Sequence, residues 1–66
     1  MKVVCNGKDV ELEPAATVSR LLAELGVEGP YALVERNGEP MERGSYDETA
    51  LEEGDTLVVA RPVAGG

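Results

Sequence analysis

The chain contains no histidine, tryptophan or phenylalanine, and one cysteine, Cys5. Without histidine the commonest general base is missing. No nucleophile–base pair or phosphate-cradling glycine-rich loop replaces it, so an enzyme in its own right is not expected. A single thiol cannot close an intramolecular disulfide, and without histidine partners it makes no zinc or iron–sulfur ligand set. No apolar run approaches a membrane span, and the opening run Met1–Cys5 turns too soon for a signal peptide. A cytoplasmic protein with no membrane association is therefore expected. Basic residues are also scarce, six against thirteen acidic, for a net charge of -7. A field of that sign repels phosphate backbones, so no nucleic-acid partner is expected and basic protein surfaces suit it better.

What is present fits one small domain. The 66 residues are too few for two cores, and the 42% that are hydrophobic suffice for one. That core must be aliphatic, because the aromatics are limited to Tyr31 and Tyr46. Cys5 reads as a small buried hydrophobe rather than a reactive thiol, since Lys8 is the one basic neighbour in view.

Two Asn-Gly dipeptides punctuate the chain. Asn6-Gly7 sits between Met1–Cys5 and Asp9–Glu13, and this dipeptide suits a type I′ hairpin turn, whose central residues both need positive φ. A two-residue loop then sets Cys5 opposite Lys8, Val3 opposite Val10 and Met1 opposite Leu12. Next, Val18, Leu21, Leu22 and Leu25 recur at i, i+3, i+4 and i+7, one apolar helical stripe, with Thr17 as N-cap and Gly26 as the left-handed C-terminal residue. A connector, Val27–Pro30, leads to a strand over Tyr31–Arg36. Asn37-Gly38 turns it into a short return strand, Glu39–Glu42, opposing Arg36 to Glu39 and Val34 to Met41. Pro40 places that return strand at an edge.

The segment 43–55 reads as loop or short helical turn, and Asp47, Glu48, Glu52, Glu53 and Asp55 as solvated surface, with no calcium-loop spacing. The near-continuous apolar run Thr56–Pro62 predicts a strand buried on both faces, central in the sheet. The order hairpin, helix, two strands, loop and last strand predicts an α+β fold, a β-grasp. One main helix lies across a mixed sheet of four to five strands, and the last strand pairs with the first. The expected organisation is a domain over 1–62 and a flexible C-terminal tail over 63–66. Its Gly65-Gly66 pair forms a thin thread able to enter a narrow slot.

The Asn-Gly hairpin, Thr17-Val18 opening a Leu-Leu helix, Leu33–Gly38, Glu53-Gly54-Asp55-Thr56-Leu57 and Val63-Ala64-Gly65-Gly66 together resemble the ThiS family of ubiquitin-like sulfur carriers in thiamin biosynthesis. The likeness covers essentially the whole chain. It implies a carrier with no bound cofactor, whose Gly66 carboxylate is adenylated by an ATP-using, ThiF-like activating enzyme. A cysteine persulfide then supplies sulfur to make a thiocarboxylate, which a ThiG-like thiazole synthase receives. Gly66 would be the residue of covalent attachment, and Gly65, Ala64 and Val63 would be recognised as extended backbone. The exposed sheet face, with Val4 and part of the last strand, is the expected docking surface, and a monomer is expected in isolation. Carriers for molybdopterin synthesis or tRNA thiolation, and ubiquitin-like protein modifiers, share the tail and stand as alternatives.

Overall fold

A computed structural model describes residues 1–27 and 31–61. The elements are β1 (Lys2–Cys5), β2 (Lys8–Glu11), α1 (Val18–Leu25), β3 (Leu33–Arg36), β4 (Glu39–Pro40), a 3-10 turn (Arg43–Ser45) and β5 (Thr56–Ala60). The five strands form one sheet in the order β2-β1-β5-β3-β4. β1 and β5 run parallel, and every other neighbouring pair is antiparallel. This is the β-grasp arrangement, with the last strand in the middle.

Both hairpins form by the same local chemistry. Asn6 and Gly7 have φ of 52° and 81°, and Asn37 and Gly38 have 51° and 86°. Paired positive φ values give the turn a twist that matches the strands it joins. The registers follow: Val3 pairs with Val10 and Cys5 with Lys8, while Arg36 pairs with Glu39 and the Met41 N–H donates to the Val34 carbonyl at 2.9 Å. β4 lies at the edge, where the missing N–H of Pro40 leaves no ladder bond unmade.

The helix starts where sequence chemistry places it. Thr17 Oγ1 accepts from the Arg20 N–H at 3.2 Å, and the N–H groups of Val18 and Ser19 donate to the carbonyls of Thr49 and Tyr46. The donors of the first turn that lack helical partners are thus supplied by the cap and by the long loop. Gly26 ends the helix at φ 70°, ψ 25°. Val18, Leu21 and Leu22 are buried against Val3, Cys5, Val34 and Leu57. Burying each such side chain contributes on the order of 1.5–3 kcal/mol.

The structure corrects the sequence reading in several places, strand bounds among them: β2 is Lys8–Glu11 rather than Asp9–Glu13, and β4 is Glu39–Pro40 rather than Glu39–Glu42. β5 is central but not buried on both faces: Leu57 is fully buried, whereas Val58 is 47% exposed, because the single helix covers only one side of the sheet. Leu25, last in the helical stripe, is 40% exposed and is not part of the buried core. β3 begins at Leu33 rather than Tyr31, which lies outside the ladder and is 62% exposed. The core is not purely aliphatic, since Tyr46 is buried and its hydroxyl donates to the Ala32 carbonyl at 3.0 Å. Finally, Asp55 is not solvated surface; it is the one buried charged residue among those described.

Candidate functional site at the end of the central strand

The expected attachment residue Gly66, and Gly65, Ala64 and Val63 beside it, lie outside the described residues. What the structure does describe is the strand that leads to them, β5, and the groups that fix its two ends.

Asp55 fixes the start. Its carboxylate accepts from Arg36 Nε at 3.0 Å and from Asn37 Nδ2 at 3.1 Å, and it takes the Glu52 N–H at 2.8 Å. Arg36 Nη2 stands 2.9 Å from the same carboxylate. Burial alone pushes the Asp55 carboxyl up, but the Glu52 N–H, the Asn37 amide and the Arg36 guanidinium outweigh it and hold it below the usual aspartate range. Asn37 closes the arrangement, since its Oδ1 accepts the Thr56 N–H at 2.9 Å. The Glu53-Gly54-Asp55 turn is thereby bound to the second hairpin before β5 begins.

Asn6 fixes the far end. The ladder between β1 and β5 pairs Val4 with Thr56 and Cys5 with Leu57, and the Asn6 N–H adds a bond to the Leu57 carbonyl at 2.9 Å. There the backbone turns away. The Asn6 side chain continues in its place: Oδ1 accepts the Val59 N–H at 2.9 Å and Nδ2 donates to the Val59 carbonyl at 3.1 Å. A carboxamide has the donor and acceptor of a peptide group, so it can occupy one further ladder position. The turn chemistry of Asn6 and Asn37 is legible in the sequence. Their cross-strand bonds are not, because the partners lie 53 and 19 residues away.

The open face of the sheet carries Leu33, 48% exposed, with Val58, Ala60 and the half-buried Val4. A shallow depression of about 160 Å³ lies among Leu33, Glu35, Pro40, Val58 and Ala60. The expected apolar face is therefore present, with Leu33 as a member the sequence reading did not name. Cys5 lies on the opposite, buried face, where burial pushes its thiol up and away from the reactive thiolate. Among the described residues no cluster of His, Cys, Asp and Glu could hold a metal, and no helix is long and apolar enough to cross a membrane.

Comparison with known proteins agrees with this architecture. A protein named thiazole synthase from Paramagnetospirillum magneticum is 39% identical over 66 residues, all of this chain and 20% of that protein. The chain thus spans about a fifth of the length of that curated relative. The crystal structure of a thiamine biosynthesis protein (ThiS) from Geobacter metallireducens matches with a TM-score of 0.79 and 35% identity, covering 100% of both chains. A ubiquitin-like protein from the hyperthermophilic archaeon Caldiarchaeum subterraneum, 18% identical over 97% of this chain and 96% of that one, shares the fold with a TM-score of 0.50. The family model described as ThiS family matches residues 3–66. That match takes in both hairpins, the helix and the central strand, and the chain belongs to the ThiS family.

Proposed function

We propose that the chain is a sulfur carrier acting as co-substrate of other enzymes, with Gly66 as the residue that carries the sulfur. The observation behind this reading is the family match, which runs through Gly66 itself. A carboxylate is a poor electrophile until one oxygen becomes a good leaving group. Attack of the Gly66 carboxylate on the α-phosphorus of ATP, in an adenylating enzyme, expels pyrophosphate and leaves an acyl adenylate. The terminal sulfur of a cysteine persulfide then displaces AMP. A second thiol cleaves the resulting S–S bond, which releases the thiocarboxylate and leaves a disulfide on the donor side. Glycine at 65 and 66 gives a thread slender enough for a channel that admits backbone alone. The name of the Paramagnetospirillum relative supports thiazole synthase as the enzyme that receives the sulfur.

The test is intact-mass measurement of the protein from its native host, with fragmentation to locate any replacement of OH by SH. A thiocarboxylate on Gly66 supports the reading. A chain that continues past Gly66, or one that stays unmodified with ATP, an adenylating enzyme and a persulfide donor, overturns it. Deleting Gly66 is expected to abolish thiocarboxylate formation and leave the fold intact.

A further inference from the structure

We propose that Asn6 is a positioning residue for the sulfur-carrying tail: its carboxamide holds the last β1-side ladder position of β5 and so sets the direction in which the chain leaves toward Gly66. This rests on the carrier reading above.

The argument begins with an imbalance in how β5 is held. On the β3 side the ladder runs from Arg36 opposite Leu57 to Leu33 opposite Ala60. On the β1 side backbone pairing stops at Cys5 opposite Leu57. From Val59 onward that side would be free, and a strand held along one edge can pivot about it. Asn6 removes the freedom at Val59 by bonding both its N–H and its carbonyl, at 2.9 and 3.1 Å. Two bonds from one planar amide also fix orientation, which a single bond does not. Arg61 is the last described residue beyond this point. A tail that must enter a narrow channel binds with less loss of freedom when its root is already fixed.

The clamp can be separated from the turn. Gly at position 6 adopts positive φ freely, and Gly-Gly is itself a type I′ sequence, so Asn6→Gly keeps the hairpin and deletes the amide. Asn37→Gly is the control, because it removes an asparagine amide from the opposite end of β5, where Oδ1 holds the Thr56 N–H and Nδ2 the Asp55 carboxylate. Referring exchange at Val59 to that at Val3 cancels any general loss of stability. Two readouts are needed on the full chain: amide hydrogen exchange residue by residue, and ATP–pyrophosphate exchange with the host's ThiF-like adenylating enzyme. For Asn6→Gly, exchange at Val59 is expected to accelerate roughly tenfold relative to Val3 and Val10. The KM for the carrier should rise several-fold with kcat little changed. Asn37→Gly should leave both the Val59-to-Val3 ratio and the KM as in the wild type. Asn6→Asp retains an acceptor for the Val59 N–H but loses the donor to its carbonyl, so it should fall between wild type and Asn6→Gly.

Unchanged Val59 exchange in Asn6→Gly would show that the amide does not hold the strand. Faster exchange with an unchanged KM, or an equal KM rise in Asn37→Gly, would show that the held strand end does not position the tail. A wild-type chain inert in pyrophosphate exchange would instead remove the carrier reading, and the positioning role with it.

Discussion

Asp55 shows how much one side chain can organise. It is buried, charged and satisfied by groups from β3, the second Asn-Gly turn and its own loop. Asp55→Asn keeps the shape but weakens the attraction to Arg36 and turns one acceptor into a donor. The expected loss is about 2–3 kcal/mol in urea unfolding at neutral pH. The carboxyl is held lower in the folded chain than in the unfolded one, so the stability it contributes is complete above the unfolded value of about 3.9 and is lost as pH falls through the folded value. The gap between wild type and Asp55→Asn should therefore be constant from neutrality down to about pH 5 and narrow below about pH 4. A gap that does not change with pH would assign the effect to the acceptor that became a donor rather than to charge. Tyr46 is the other residue that carries more than its loop position suggests, since its ring fills the core beneath the loop and its hydroxyl is satisfied by Ala32.

Among the elements, the connection from β2 to α1 holds a local conflict. The Ala16 N–H donates to the Glu13 carbonyl at 3.1 Å, with Pro14 and Ala15 between, and Ala15 has φ 66°. Those features define a type II turn, whose third position favours glycine. Alanine there costs about 1–2 kcal/mol in the left-handed region, whereas glycine adds about 0.4–1 kcal/mol of unfolded-chain entropy. Ala15→Gly should therefore stabilise the fold by roughly 0.5 kcal/mol, read as a rise in the urea midpoint. A lower midpoint would mean the turn is not strained. The sequence hides this turn because its proline signal is present and its glycine is not. Elsewhere local signals suffice: the Asn-Gly turns, the Thr17 cap, the Gly26 stop and the apolar stripe define hairpins and helix unaided. The burial of Asp55 and the one-sided burial of β5 depend on what lies across the sheet, and no local pattern encodes that. For the same reason the apolar run Thr56–Pro62 gives a correct central position and a wrong two-sided burial.

For the molecule as a whole, one sheet face is covered by the helix and the other is open. Val58 sits in the middle of the open face, paired across the ladder with Glu35. Val58→Lys sets opposite charges face to face, so folding stability should change by no more than about 0.5 kcal/mol. It also breaks the apolar surface shared with Leu33 and Ala60. Binding to the adenylating enzyme or to thiazole synthase, measured by calorimetry, should weaken by about tenfold or more if this face docks there, and by nothing if the tail alone is recognised. The edges are blunted by charge and proline: β2 carries Lys8, Asp9 and Glu11, and β4 is two residues long. Such edges discourage strand addition between copies.

The two clamped asparagines also bear on how the protein ages. Asparagine followed by glycine is open to self-cyclisation: the glycine nitrogen attacks the side-chain amide carbon, ammonia leaves, and water opens the ring to aspartate or its backbone-shifted isomer. Asparagine is accordingly among the heat-labile residues. Here both amides are tied to β5, Asn6 through Val59 and Asn37 through Thr56, and Asn37 also to Asp55 just before the strand. Each must release those bonds before its carbon can turn toward the attacking nitrogen. Amide-to-acid conversion at positions 6 and 37, followed by peptide mapping during warm incubation, should be far slower in buffer than in urea. Equal rates would mean the clamps give no protection. The strand that the two asparagines hold would thus also preserve them.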